Sequence, residues 1–139
     1  GALPFTMDLI RAIDRNVTLE VLGVSSYQGG TETTGEVRIT HDVTKPLSGR
    51  HLLIVEDIID TGLTLNYLVR YLRGKNPASL GICTLLDKPA RRLVDIGVDY
   101  VGFTIPNQFV VGYGLDYNEL YRNLRFVGVL RPEVYAVQE

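Results

Sequence analysis

Four consecutive apolar residues, Leu52-Leu53-Ile54-Val55, run directly into Glu56-Asp57-Ile58-Ile59-Asp60-Thr61-Gly62-Leu63-Thr64. An unbroken apolar run of strand length is the pattern of a central parallel strand covered on both faces. Beyond it Leu65, Leu68, Val69 and Leu72 fall on one helical face, and Gly74 ends that helix. Further apolar runs span Leu80–Leu86, Tyr100–Ile105 and, shorter, Phe126–Leu130, with a short helix expected around Tyr117–Asn123 before the last. Strands alternating with helices at this spacing predict an α/β domain with a mainly parallel sheet.

The segments ahead of that core read differently. Leu3, Met7, Ile10 and Ile13 recur at helical spacing with Asp8, Arg11 and Asp14 between them, predicting an amphipathic opening helix. Val17–Val21 and Glu36–Thr40 alternate apolar and polar residues and read as two strands. The polar, glycine-rich stretch Ser25–Gly35 joins them as a long excursion of the kind that forms lids. Lys45-Pro46-Leu47-Ser48-Gly49 turns the chain. With 139 residues and no linker, repeat or low-complexity tract, the reading is one domain over 1–139. A net charge of −2 exerts no general pull on nucleic acid or membrane, and neither is expected as a partner. One cysteine, Cys83, excludes an intrachain disulfide and fits a reducing, cytoplasmic compartment.

The acidic turn carries the chemistry. In open α/β sheets ligands bind beyond the carboxyl ends of the strands, where Glu56, Asp57 and Asp60 lie. Clustered carboxylates there call for a cation or hydroxyl groups. Thr61, Gly62 and Thr64 then open a helix, whose free amides, hydroxyls and positive dipole end suit one phosphate. A diol or Mg²⁺ beside a phosphate monoester describes a sugar phosphate. The plainer alternative is that Asp60 and Thr61 only cap the helix while Glu56 and Asp57 are solvated. The run is not a Walker A loop, because no Gly-Lys-Ser/Thr follows at the required spacing.

This run closely resembles the phosphoribosyl-pyrophosphate signature of type I phosphoribosyltransferases. Gly1-Ala2-Leu3-Pro4-Phe5, Ser26-Tyr27, Leu86-Asp87-Lys88, Tyr100-Val101-Gly102-Phe103 and Phe109-Val110-Val111-Gly112-Tyr113-Gly114-Leu115-Asp116-Tyr117 narrow the likeness to the 6-oxopurine branch, the hypoxanthine-guanine phosphoribosyltransferases. The resemblance implies the type I fold, with a lid near residues 25–37. It also implies Mg²⁺-dependent transfer of phosphoribosyl from phosphoribosyl pyrophosphate to hypoxanthine or guanine (xanthine remaining open). Glu56 and Asp57 are then expected to hold the ribose hydroxyls and the metal's water shell. Asp60 acts as the catalytic base. Asp60, Thr61, Gly62, Leu63 and Thr64 wrap the 5′-phosphate, Leu63 through its main chain, since many relatives carry lysine there.

Lys88 is implied as the donor to the purine O6, a role that favours 6-oxopurines over adenine. Phe109 stacks on the base, Val110 reads its edge through backbone groups, and Asp116 binds a second Mg²⁺ near the purine 2-position. Arg122 and Gly1 touch pyrophosphate, while Ser26 and Tyr27 belong to the lid that excludes water. The family pattern also leads us to expect a strand and helix ahead of Gly1, on the order of 30 residues or more, and a homodimer or homotetramer. A nucleotide-sensing regulator of the same fold, or a catalytically impaired fragment, are the alternatives. His41 and His51 lack ligand partners at metal spacing. Cys83 reads as a small core residue, Tyr113, Tyr117 and Tyr121 as a packed stripe, and Arg91-Arg92 as a solvated face or subunit contact.

Overall fold

The computed structural model describes residues 1–26 and 37–135. In chain order the elements are α1 (Leu3–Ala12), β1 (Gly23–Ser26), β2 (Val37–His41), β3 (His51–Ile59), α2 (Leu63–Arg73) and β4 (Ser79–Asp87). After a single 3₁₀ turn at Pro89–Arg91 come β5 (Tyr100–Thr104), β6 (Val110–Val111), β7 (Gly128–Val129) and α3 (Pro132–Tyr135).

The frame of the domain is the parallel sheet β3-β4-β5. β3 and β4 pair from His51↔Ser79 to Ile59↔Asp87, and β4 and β5 pair from Cys83↔Tyr100 to Asp87↔Thr104. The middle strand is therefore β4; among the described residues β3, expected at the centre, pairs with β4 alone. β4 carries the driest positions of the sheet, with Ile82, Cys83, Thr84 and Leu86 buried. Thr84 has no exposed surface, and its hydroxyl donates to the Leu86 carbonyl at 2.8 Å, so burial leaves it satisfied.

α2 packs on this sheet through the face expected of it: Leu65, Leu68, Val69 and Leu72 are all buried. Ile59, Leu65, Val69 and Ile82 form the core cluster, extended by Ile54, Leu80, Ile96 and Val98. Gly74 closes the helix, its amide donating to the Arg70 carbonyl at 3.2 Å. α1 also forms where its periodicity predicts, with Pro4 in its first turn, where a missing amide costs nothing. Its apolar stripe is less enclosed, since Leu3 and Met7 are exposed.

Three local expectations are corrected. The alternation at Val17–Val21 is not a strand; the strand that pairs with β2 is β1, beginning at Gly23. Leu19 and Val21 remain exposed, while Glu20 is tied to Thr44 and Lys45, so side-chain contacts rather than a ladder hold this stretch. No helix spans Tyr117–Asn123. Asn118, Glu119 and Tyr121 have positive φ, which a right-handed helix excludes, and Tyr117 and Leu120 form an isolated bridge. The run Phe126–Leu130 contributes only β7, antiparallel to β6 and outside the parallel sheet. The expected tyrosine stripe is consequently dispersed over turns.

Candidate active site

β3 runs four residues further than its apolar core, so Glu56, Asp57, Ile58 and Ile59 belong to the strand, and the chain turns at Asp60-Thr61-Gly62 before α2 begins at Leu63. Gly62 occupies the N-cap position with φ +84°, a left-handed conformation that glycine adopts without steric cost. A Cβ there would also lie 3.1 Å from Arg92 Cδ and from Ile96 Cδ1. Gly62, at the N-cap position, has no side chain to cap with. The plainer reading holds in part, since Thr61 accepts one first-turn amide. The Thr61 hydroxyl oxygen reaches the Leu63 amide at only 3.4 Å, and the remaining first-turn amides have no acceptor within the helix. The helix start is thus rich in donors and positive in character, beside Asp60 at the end of β3.

Asp60 itself is held from two sides. Its carbonyl accepts from Arg92 Nε at 3.1 Å, and its carboxylate Oδ1 lies 3.2 Å from Arg91 Nε. That contact is an ion pair whose angle does not make a hydrogen bond, so Oδ1 is a buried acceptor still without a donor. The end of β4 lies directly alongside. Ile59 pairs with Asp87, and the Lys88 amide donates to the Ile59 carbonyl at 3.0 Å. Lys88 is buried, with 6% of its surface exposed. The freely solvated loop lysine that surface statistics favour is thereby excluded.

Glu56 and Asp57 border a cavity of about 530 Å³ along the outer edge of β3, together with Gly1 and Thr6. Burial, reinforced by the neighbouring Asp57 charge, pushes the Glu56 carboxyl up to about 7. Asp57 Oδ1 accepts from the Ile58 amide at 2.7 Å, and a Cβ on Gly1 would collide with Asp57 Oδ2 at 1.8 Å. Gly1 thus lies against Asp57, and on its other side a Cβ on Gly114 would meet the Gly1 carbonyl at 2.0 Å.

The Gly114 carbonyl accepts from Arg122 Nη1 at 2.8 Å, and Arg122 Nη2 pairs with Asp116 Oδ1 at 3.1 Å. Asp116 Oδ2 accepts from the Glu119 amide at 2.9 Å. Gly1, Asp57, Asp116 and Arg122 therefore adjoin through Gly114. Tyr113, between Gly112 and Gly114, hydrogen-bonds to Asp8 of α1, which seats this loop on the opening helix.

Phe109 meets Tyr117 edge-on at 5.6 Å and stacks on Tyr135 at 5.2 Å. Its carbonyl accepts from the Leu130 amide at 2.8 Å, making Phe109–Leu130 a hydrogen-bonded pair of the antiparallel ladder. Such pairs alternate with non-bonded ones, so Val110, opposite Val129, points its amide and carbonyl away from β7. Ser26 ends β1 opposite Val37. Tyr27 and most of the expected lid lie outside the described residues.

Magnesium can be tested against this donor set. Among the described residues no three acidic, histidine or cysteine side chains gather as a protein cage. Mg²⁺ commonly keeps several waters and is held by one or two carboxylates together with substrate phosphates. Asp57 and Asp116, spaced by Gly1 and Gly114, suit that arrangement. The residues that sequence reasoning missed are Asp87, Arg92 and the Asp8–Tyr113 contact. The expectation of a solvated face fails at Arg92, which is largely buried and bonded to Asp87 and Asp60, whereas Arg91 is half exposed. Its partner at position 60 is 32 residues away, a separation that carries no local signal.

A sheet whose strand ends carry paired acids beside a helix start with free amides suits a ligand that bears both hydroxyl groups and a phosphate. The phosphoribosyl transferase domain model matches residues 1–118. The chain belongs to the phosphoribosyltransferase family, in its hypoxanthine-guanine branch. It is 53% identical to hypoxanthine-guanine phosphoribosyltransferase of Streptococcus pneumoniae over 98% of this chain and 76% of that one. For the Bacillus subtilis enzyme of the same name the identity is 54%, over 97% and 75%. A crystal structure of hypoxanthine phosphoribosyltransferase from Staphylococcus aureus superposes with a TM-score of 0.93 at 51% identity, covering 99% of this chain and 74% of that one. The bifunctional protein TilS/HprT of Listeria monocytogenes is 51% identical over 98% of this chain, which spans only 21% of its length.

Proposed function

We propose that this chain catalyses purine salvage, transferring the 5-phosphoribosyl group from phosphoribosyl pyrophosphate to hypoxanthine or guanine with release of pyrophosphate. The observation that carries the reading is the juxtaposition at the ends of β3 and β4. A helix start with free amides, the Asp60 carboxylate and the buried Lys88 meet where Ile59 pairs with Asp87.

Each residue then has a task. The amides and hydroxyls of Thr61, Gly62, Leu63 and Thr64, with Asp60, enclose the 5′-phosphate. Glu56 and Asp57 accept hydrogen bonds from the ribose hydroxyls. Lys88 donates to O6 of the purine, a partner that adenine, with an amino group there, does not offer. Phe109 lies against the base, and the outward backbone groups of Val110 read its edge. Asp60 accepts the proton of the purine imidazole as the new bond forms.

Gly1 and Arg122 meet the leaving pyrophosphate, Arg122 by exchanging one of its carboxylate partners for it. Asp57, Glu56 and Asp116 are the residues that would hold Mg²⁺, which when bound neutralises the pyrophosphate as it departs. Ser26 and Tyr27 contribute to closing the site against water. The same reading places the enzyme in the cytoplasm as a homodimer or homotetramer. No helix of the described residues is long and apolar enough to cross a membrane.

The test is direct. The protein is incubated with phosphoribosyl pyrophosphate, Mg²⁺ and each of hypoxanthine, guanine, xanthine and adenine, and nucleotide is measured. Nucleotide from the 6-oxopurines but not adenine is expected; none from any base overturns the proposal. In the same assay Lys88→Gln should narrow the preference against adenine, and an unaltered ratio removes Lys88 from its role.

A further inference from the structure

The turn that carries Asp60 is braced from outside by a segment no part of the proposed chemistry uses. Arg92 Nε donates to the Asp60 carbonyl at 3.1 Å. The Leu93 and Val94 amides both donate to the Thr61 carbonyl, at 2.9 and 3.3 Å. The Arg92 stem lies where a Cβ on Gly62 would press on it, so three consecutive residues, 92 to 94, stitch onto three others, 60 to 62.

The other half of the Arg92 guanidinium faces β4. Nη2 pairs with Asp87 Oδ1, and the two side chains are only 18% and 19% exposed. Asp87 is the last residue of β4, immediately before Lys88. One planar group therefore spans the turn that bears Asp60 and the strand end that bears Lys88.

The physical case for a specific role is the geometry of the fork. Guanidinium offers fixed, divergent donors, and a partly buried, charge-assisted pair is stronger and more directional than an exposed one. Gly62 has no side-chain cap and a left-handed φ, so the turn has little internal restraint. Removing Arg92 frees the Asp60 carbonyl and leaves Asp87 a partly buried carboxylate without its cation. Asp60 and the amides of residues 61–64 then lose their fixed position relative to Lys88.

We propose that Arg92 is a positioning residue, clamping the Asp60-Thr61-Gly62 turn to Asp87 so that the proton acceptor, the phosphate cradle and Lys88 are held in one register. The inference rests on the transferase reading for its effect on turnover, though not for the clamp itself. Arg91, which pairs with Asp60 Oδ1 from a half-exposed position, has no second partner among the described residues and does not share the role.

Three variants test it: Arg92→Gln, Arg92→Lys and Asp87→Asn. Each is measured for kcat, for KM of phosphoribosyl pyrophosphate, for Tm, and for amide hydrogen exchange at residues 60–64 in the free protein. Arg92→Gln should lower kcat by on the order of tenfold to a hundredfold and raise KM several-fold, as expected for misplacement of reacting groups. Exchange at residues 61–64 should quicken locally. Arg92→Lys keeps the charge but not the fork and should fall between. Asp87→Asn keeps the bond to Asp60 and should be milder than Arg92→Gln.

A merely structural role lowers Tm and the active fraction while leaving KM and local exchange as they were; that result overturns the proposal. If Arg92→Gln does not fold, the Lys and Asn variants decide by the same readouts. If the unaltered protein makes no nucleotide, the transferase reading fails, and exchange at residues 61–64 still decides the clamp.

Discussion

Glu56 and Asp57 are adjacent in β3, yet their surroundings separate them. Asp57 has a backbone donor at Ile58, whereas burial and the Asp57 charge push Glu56 up to about 7. A carboxyl whose folded pKa lies above its ordinary value of 4.5 stabilises the fold while protonated, and that contribution is lost as pH rises from there through about 7. The ligand-free protein should therefore lose stability between pH 5 and pH 8 in urea titrations, and Glu56→Gln should flatten that slope. An equal slope in the variant contradicts the assignment.

At Asp60, replacement by Asn keeps the shape and the Arg92 contact, which is made to the backbone. Turnover should fall by on the order of a hundredfold or more, with nucleotide binding much less affected; equal losses in both would remove the proton-accepting role. Gly62→Ala forces a side chain into a left-handed φ against Arg92 and should cost about 1–2 kcal/mol by denaturant unfolding. These residues were legible because their chemistry is contiguous in the chain. Arg92 was not, because its meaning lies in partners that folding brings to it.

Among the elements, α2 and β4 were readable from hydrophobic pattern alone, since burial follows from a face that contacts the sheet. Leu68→Ala should cost about 2–5 kcal/mol, the range for a buried leucine; a loss well under 1 kcal/mol would show that the face is not packed as described. The misread elements share a cause. Alternation at Val17–Val21 and spacing at Tyr117–Asn123 describe a local tendency, and tertiary contacts overrode it through Glu20 with Lys45 and through positive φ at three residues.

The seating of the Gly112–Asp116 loop on α1 is likewise non-local. The Tyr113 hydroxyl and then Arg11 hold the Asp8 carboxyl below its ordinary value of 3.8. A depressed acid contributes stability above its unfolded pKa and loses it as pH falls through the folded one. Tyr113→Phe should therefore lower Tm at pH 7, and the difference from the unaltered protein should shrink below about pH 4. A gap that persists undiminished at pH 3 would assign the effect to packing.

At the scale of the molecule, sequence reasoning identified one α/β sheet and the end of it where the candidate site lies, but could not rank β3 against β4, the strand bonded on both sides among the described residues. Apolarity could not separate them, because both runs are strand-length and unbroken. Strand order depends on pairings that no single run encodes. β4 is bonded on both sides only to strands reached by crossovers: His51 meets Ser79 across 28 positions and Cys83 meets Tyr100 across 17. No rung of this ladder forms by a local hairpin, so chain-closure entropy must be met before any pairing repays it. Refolding should accordingly be slow for the chain's size, on the millisecond-to-second scale of non-local topologies. The acidic turn and the lysine beside it should then take shape together, once the crossover that pairs Ile59 with Asp87 has closed.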